Sequence, residues 1–264
     1  MPLPAAMVQR ARDFTGPPAP ARPAATVVLL RPAPEAFDVY LLRRATTMVF
    51  GGVYAFPGGG VDRNDRPQTL NKDWPQRLGL PEGEAKAVVG AAARELFEEA
   101  GILLAGPAEA RRTGGIVGDV SGADWEADRV AVQQRELTMT ELLDRRGLRL
   151  RDDLLLPWAR WITPEFEPRR FDTWFFVAVL PPDQTARDVS GEADRTTWIG
   201  PADANGLTML PPTRVMLNEL SAYPSIEGVE RAAEKRDAAV PVMPRVELAE
   251  DGGAVLTIPS RTDR

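Results

Sequence analysis

The 264-residue chain contains no cysteine and no histidine. Without cysteine there is no disulfide framework, no thiolate zinc site and no cysteine nucleophile. Without histidine, imidazole bases, Ser/His/Asp triads and imidazole metal sites are excluded as well. Any catalytic metal must therefore be held by oxygen ligands, which favours magnesium, manganese or calcium. Long hydrophobic runs are also missing, and the N-terminus lacks the apolar core of a secretory signal. A cytoplasmic protein with no membrane partner is expected. Basic residues are outnumbered, 32 Lys and Arg against 38 Asp and Glu. The resulting pI near 5.0 argues against duplex nucleic acid as a partner. A nucleotide-sized anion is still allowed, because a local site need not follow net charge.

What is present is enough apolar residue, 44% of the chain, to bury a substantial core. Residues 1–24 are rich in Pro and Ala and are expected as a flexible tail. Apolar runs at Thr26 to Leu30 and Phe37 to Leu42 are separated by ArgProAlaProGlu, which predicts paired strands. Val53 to Phe56 continues the pattern into a Pro-Gly-Gly-Gly turn. Polar residues 61–80 interrupt it, and a helix is predicted from Pro81 and Glu82 to Ala100, stopped by Gly101. A second helix is predicted over about Asp124 to Arg146. Strands follow at Leu154 to Ile162, Thr173 to Leu180 and Thr196 to Ile199. Helical segments are expected at Pro201 to Ala204, Pro212 to Ala222 and Ile226 to Arg236, and AspGlyGly at 251–253 suggests a late hairpin. This order predicts one α/β sandwich around a mixed β-sheet over residues 25–240, with a hairpin or tail at 241–264.

The chemically informative segment is Arg94-Glu95-Leu96-Phe97-Glu98-Glu99-Ala100-Gly101-Ile102. At about 100° per residue the three glutamates share an arc of roughly 100°, beside an apolar stripe of Ala85, Val89, Leu96 and Ala100. Like charges at these spacings disfavour a helix by a few tenths of a kcal/mol per pair. Arg94, within one turn, compensates only in part, and a bound divalent cation would resolve the conflict. An acidic solvated face is the alternative reading of an isolated Glu-Glu pair.

Upstream stands Phe56-Pro57-Gly58-Gly59, whose glycines permit close backbone approach to a ligand or helix. Together, ArgGluLeuPheGluGluAlaGlyIle resembles the second half of the Nudix box and PheProGlyGly resembles its start. The resemblance implies a Nudix-type α/β/α sandwich. It also implies a hydrolase that uses Mg2+ or Mn2+ to split a nucleoside diphosphate from a linked group. Glu95, Glu98 and Glu99 would be metal ligands, Glu98 also catalytic, and Arg94 would orient a glutamate through a charge-assisted hydrogen bond. Two departures stand out. The family usually spaces its first glycine and this arginine by about fourteen positions, whereas Gly59 and Arg94 are 35 apart (94 − 59), an insertion of about 21 residues at 61–81. The family's early glutamate is replaced by Lys86, with Glu82 and Glu84 as the nearest substitutes. The insertion reads first as a surface loop and second as a substrate lid.

Leu41-Leu42-Arg43-Arg44-Ala45, Trp161-Ile162-Thr163-Pro164 and Arg169-Arg170-Phe171-Asp172-Thr173 further resemble the coenzyme A diphosphatase branch over roughly residues 25–220. That branch implies coenzyme A or its thioesters as substrate and 3',5'-ADP as product. The signature's second arginine is absent, with Met48, Val49 and Phe50 in its place. Arg44, Arg169 and Arg170 are therefore the candidate phosphate ligands, beside Gly58 and Gly59 at the turn. Trp161, Trp174, Phe175 and Phe176 read as core rather than as a base-stacking platform. Glu192, in the loop before the Thr196 strand, is a candidate extra ligand or general base. The chain's ThrAspArg end is not a peroxisomal address. A small nucleotide substrate is expected as the partner, with a homodimer as a candidate assembly. Hydrolysis of ADP-ribose, NADH or another dinucleotide is the alternative activity, and a silent nucleotide sensor is the alternative class.

Overall fold

The computed structural model describes residues 5–45, 51–109, 114–189, 191, 193–248 and 254–258. Its elements run α1 (Ala5–Asp13), β1 (Ala21–Pro32), β2 (Phe37–Arg44), β3 (Tyr54–Ala55), β4 (Gly58–Gly60), α2 (Trp74–Leu78), α3 (Glu82–Ala100) and β5 (Ala105–Pro107). They continue with α4 (Ala123–Gln133), α5 (Met139–Arg145), β6 (Leu148–Leu150), β7 (Leu156–Ile162), β8 (Arg170–Val179) and β9 (Ala193–Ile199). The last are α6 (Pro211–Leu220), α7 (Ile226–Ala233), β10 (Pro241–Val242), β11 (Arg245–Leu248) and β12 (Ala254–Thr257).

Among the described residues eight strands form one mixed sheet in the order β10-β7-β8-β1-β2-β3, with β4 also on β1 and β9 also on β2. β1 lies at its centre, parallel to β8 and antiparallel to β2 and β4. Because side chains alternate across a strand, β1 feeds both faces, and both are buried. Val27 and Leu29 pack with Ala85, Val89, Leu96 and Phe97 of α3, together with Trp174 and Phe176. Val28 and Leu30 face Met216, Leu217 and Leu220 of α6 and Val229 and Ala233 of α7, together with Trp161 and Phe175. The result is the α/β/α sandwich that the sequence predicts, with all four aromatics in its core.

Several segments differ from expectation. Residues 1–24, expected as a tail, hold α1 and the first residues of β1. Val8 is buried, and Arg10 bonds Glu167 at 3.0 Å. The pairing of Ala21 with Arg170 in the parallel ladder draws the supposed tail into the sheet. The helix expected over Asp124 to Arg146 is two helices. Arg135 takes a left-handed backbone, φ 64°, and Thr138 restarts the helix with a capping box to Glu141. That box was visible in the sequence as Thr-x-x-Glu.

The 61–81 insertion is not a plain surface loop. It contains α2, whose Trp74 and Leu78 are fully buried. Trp74 Nε1 donates to Asp152 Oδ2 at 2.6 Å, and its ring meets Phe176 edge-on at 5.9 Å. Leu78 O accepts from Trp174 Nε1 at 3.2 Å. Earlier in the insertion, Pro67 and Asp65 lie so close to Gly90 of α3 that a methyl there would fall 2.9 Å from Pro67 Cδ. A polar composition concealed these anchors because two apolar side chains suffice to fix a short helix.

β11 and β12 pair antiparallel from Arg245↔Thr257 to Leu248↔Ala254. The turn at 251–253 lies outside the described residues. Among the described residues no helix is long and apolar enough to cross a membrane.

Candidate active site

β4 is short and made of glycine, and it pairs with Ala24, Ala25 and Thr26 of β1. Gly58 has no room for a side chain, since a Cβ would lie 2.5 Å from Thr26 Oγ1 and 2.6 Å from Ala25 O. The bare strand therefore lies against both β1 and the C-terminal half of α3. Gly58 N donates to Glu99 Oε2 at 2.8 Å, and Gly60 O accepts from Arg94 at 2.8 Å. The two segments singled out in the sequence, 35 positions apart, are in direct contact.

α3 carries the charged residues. Arg94, Glu95, Glu98 and Glu99 are all buried, at 3 to 8% exposure, so the acidic-surface reading does not hold. Arg94 organises them with five hydrogen bonds. Nε and Nη2 grip both oxygens of Asp65 at 2.7 and 3.0 Å, and Nη2 also reaches Gly60 O. Nη1 donates to Glu95 at 2.6 Å and to Glu98 at 3.2 Å. The other oxygen of Glu98 accepts from Arg135, whose guanidinium also approaches Asp62 at 3.7 Å. Arg129, buried in α4, caps the backbone oxygen of Glu98 at 2.9 Å. That contact satisfies a carbonyl near the C-terminus of α3 and favours the negative end of its dipole.

Burial opposes the charge of Arg94, but Asp65, Glu95 and Glu98 hold its proton more tightly than an ordinary guanidinium does. Burial pushes the Glu95 carboxyl up to about 7, against the pull of Arg94 and Arg135 and with the help of Glu98. The folded protein then binds more protons than the unfolded chain between pH 4.5 and about 7. This group's contribution is full below about 4.5 and is lost as pH rises through 7, by about 3 kcal/mol at most. We expect the metal-free protein to lose stability over this range more steeply than Glu95→Gln does. Equal slopes in chelator-containing urea titrations would contradict the assignment.

A second expectation concerns Gly59. A Cβ there would meet the Glu95 carboxylate at 2.6 to 2.7 Å, and a side-chain end can move where backbone cannot. Gly59→Ala should therefore leave the fold intact and displace Glu95, lowering turnover about tenfold or more while the melting temperature changes by only a few degrees. Unchanged turnover would count against Glu95 as a site residue.

The donor set consists of carboxylate oxygens, which suit a hard divalent cation. Asp62, Asp65, Glu95, Glu98 and Glu99 outnumber Arg94 and Arg135 when all are ionised, so a cation would lower the charge of the cluster. The cage is not closed: among the described residues no three acids converge to hold a metal. Glu98 is held between two guanidiniums, and taking part in a metal site would require it to exchange Arg135 for the ion. In charge and donor chemistry the residues fit.

The other expected residues are dispersed. Glu82 is exposed and pairs with Lys86 at 2.7 Å, and Glu84 is exposed, so neither replaces the family's early glutamate. Arg170 gives Nε to Thr163 O at 3.0 Å and Nη1 to Ala19 O at 2.8 Å. Arg169 is exposed at the start of β8. Arg44 ends β2, and its Nε is buried without a hydrogen-bond partner among the described residues. Glu192 and Met48 to Phe50 lie outside the described residues. Asp62, Asp65, Arg129 and Arg135 are the residues that sequence reasoning missed. The Asp62-Arg63-Asn64-Asp65 stretch has the composition of any polar turn, and only the fold shows that it faces Arg94.

No protein-family model matches the chain. It is 27% identical over 219 residues to nudix hydrolase 7 of Caenorhabditis elegans, covering 78% of this chain and 62% of that protein. The chain thus spans less than two thirds of the length of that relative. The crystal structure of a NUDIX hydrolase from Alicyclobacillus acidocaldarius aligns with a TM-score of 0.64 at 27% identity, covering 84% of this chain and 99% of the other. In sequence and in fold, then, the likeness is to Nudix hydrolases, as the motif resemblance implied.

Proposed function

We infer that the chain, built on the fold of the Nudix hydrolases, hydrolyses the diphosphate of a nucleoside diphosphate joined to a second group and depends on Mg2+ or Mn2+. The observation that carries this reading is the joining of Gly58–Gly60 to Arg94, Glu95, Glu98 and Glu99 across the insertion. Such a site needs buried oxygen donors held rigid before substrate arrives. Arg94 supplies the rigidity and the three glutamates supply the donors. When bound, the cation would neutralise the diphosphate and make the attacking water more acidic. Glu95, Glu98 and Glu99 would hold it, and Glu98 and Glu192 are the candidate proton acceptors for the water.

Coenzyme A or an acyl-coenzyme A is the substrate class we favour, split to 3',5'-ADP and a phosphopantetheine derivative. With Arg170 committed to backbone carbonyls, the 3'-phosphate would fall to Arg44 and Arg169. The Nε of Arg44, buried with no acceptor among the described residues, supports that choice, because a buried N–H left without an acceptor costs roughly 1–3 kcal/mol.

The test is incubation of the purified chain with Mg2+ or Mn2+ and coenzyme A, acetyl-coenzyme A, ADP-ribose and NADH, with products identified by mass. Release of 3',5'-ADP is expected. AMP from ADP-ribose or NADH would keep the hydrolase and replace the substrate. Binding without any metal-dependent turnover would favour a nucleotide sensor.

A further inference from the structure

The insertion at 61–81 delivers a side chain to the site, and we propose that Asp65 is a positioning residue of the hydrolytic centre, acting through Arg94 on Glu95 and Glu98. The inference rests on the hydrolase reading above.

Asp65 is 4% exposed, and both its oxygens face the guanidinium, at 2.7 Å to Nε and 3.0 Å to Nη2. A paired grip of this kind fixes the plane of a guanidinium as well as its distance. With Nε and one Nη2 proton fixed by Asp65 and the other Nη2 proton by Gly60 O, Nη1 has one direction left. Along that direction lie Glu95 and Glu98. Releasing the Asp65 side would let Arg94 pivot and carry both glutamates with it.

Asp65 is itself held. Asp62 N donates to Asp65 Oδ2 at 2.7 Å, Asp65 N donates to Asp62 O at 3.2 Å, and Asn64 N donates to Asp62 Oδ1 at 2.9 Å. Asp65 and Pro67 close on Gly90, where any side chain would collide with them. The turn is thus clamped to α3 one helical turn before Arg94. No acid on α3 itself could do this work, since Glu82 and Glu84 stand exposed at the far end of the helix. The added segment therefore completes the site rather than covering it.

The experiment is a double-mutant cycle on kcat and KM with Asp65→Asn, Arg94→Gln and the pair, using the best substrate of the panel above. Folding is checked by circular dichroism and thermal unfolding. Asp65→Asn keeps the shape of the side chain and removes its charge and one acceptor. It should lower kcat at least tenfold with KM changed less than threefold. In the Arg94→Gln background it should have almost no further effect, because the path through Arg94 is already cut. A contribution that merely stabilised the fold would add fully in both backgrounds, and that result would overturn the proposal. So would wild-type kcat in Asp65→Asn. Asp65→Glu provides a check that does not depend on charge loss: it should remain folded and recover part of kcat, and a protein as inactive as Asp65→Asn would argue against positioning. If the unaltered chain turns over no substrate of the panel, the hydrolase reading fails, and this inference with it. Failure confined to the variants leaves that reading standing.

Discussion

Glu98→Gln is expected to lower metal-dependent turnover about a hundredfold or more, equivalent to roughly 3 kcal/mol of lost transition-state stabilisation. The substitution keeps the volume of the side chain and removes one of the three charges proposed to hold the cation. It also removes the acceptor of Arg135 and weakens that of Arg94. Glu98 is buried, not at the helix surface, so its replacement is not silent in the fold. Loss of two ion pairs is offset in part because the charged form of Glu95 is no longer repelled by Glu98. We expect a net change in stability of about 1 kcal/mol or less, read as a small shift in denaturation midpoint, alongside the large loss in kcat. Wild-type turnover in this variant would remove the site from α3 altogether.

Trp74→Ala should produce the largest loss of stability of any single change in the inserted segment. Trp74 is 1% exposed, belongs to the core between the sheet and α3, and bonds Asp152 through its indole N–H. Truncating a buried tryptophan costs about 3–5 kcal/mol, through lost transfer energy and the cavity left behind. For a chain of this size that corresponds to a fall of roughly 10 °C in melting temperature. Asp152 would also lose a donor, although Asn71 N still serves it at 2.7 Å. If the segment were only a solvated loop, the change would move the melting temperature by no more than a degree or two. A thermal scan decides between these.

The long elements were legible before the structure was known. α3 begins and ends where Pro81 and Gly101 place it, and β1, β2, β7 and β8 fall within a few residues of their apolar runs. The carboxylates that share a face of α3 were legible for the same reason, a helical period read over many turns. What was not legible depends on contacts between distant segments. Nothing local in Asp65 distinguishes it from Asp62 or Asp73; its role exists because a turn folds back on Gly90. The backbone contacts of Arg170 were hidden for a related reason, since a guanidinium that bonds two backbone carbonyls has the same sequence context as one that awaits phosphate. The early portion of β1 was hidden because Ala21 to Ala25 has weak strand propensity, and pairing with β8 and β4 overrides it.

The central ladder of the sheet has a consequence for synthesis of the protein. From Ala21↔Arg170 to Leu30↔Val179, each pair joins residues 149 positions apart (170 − 21). β2 and β4 reach the opposite edge of β1 early, but the edge destined for β8 waits for all of that chain to be made. At about 5–20 residues per second the delay is roughly 7 to 30 s. Throughout it, the run Val27 to Leu30 presents an open apolar strand edge. We expect slow folding set by this closure, and a nascent chain that depends on being shielded from its own copies until β8 emerges.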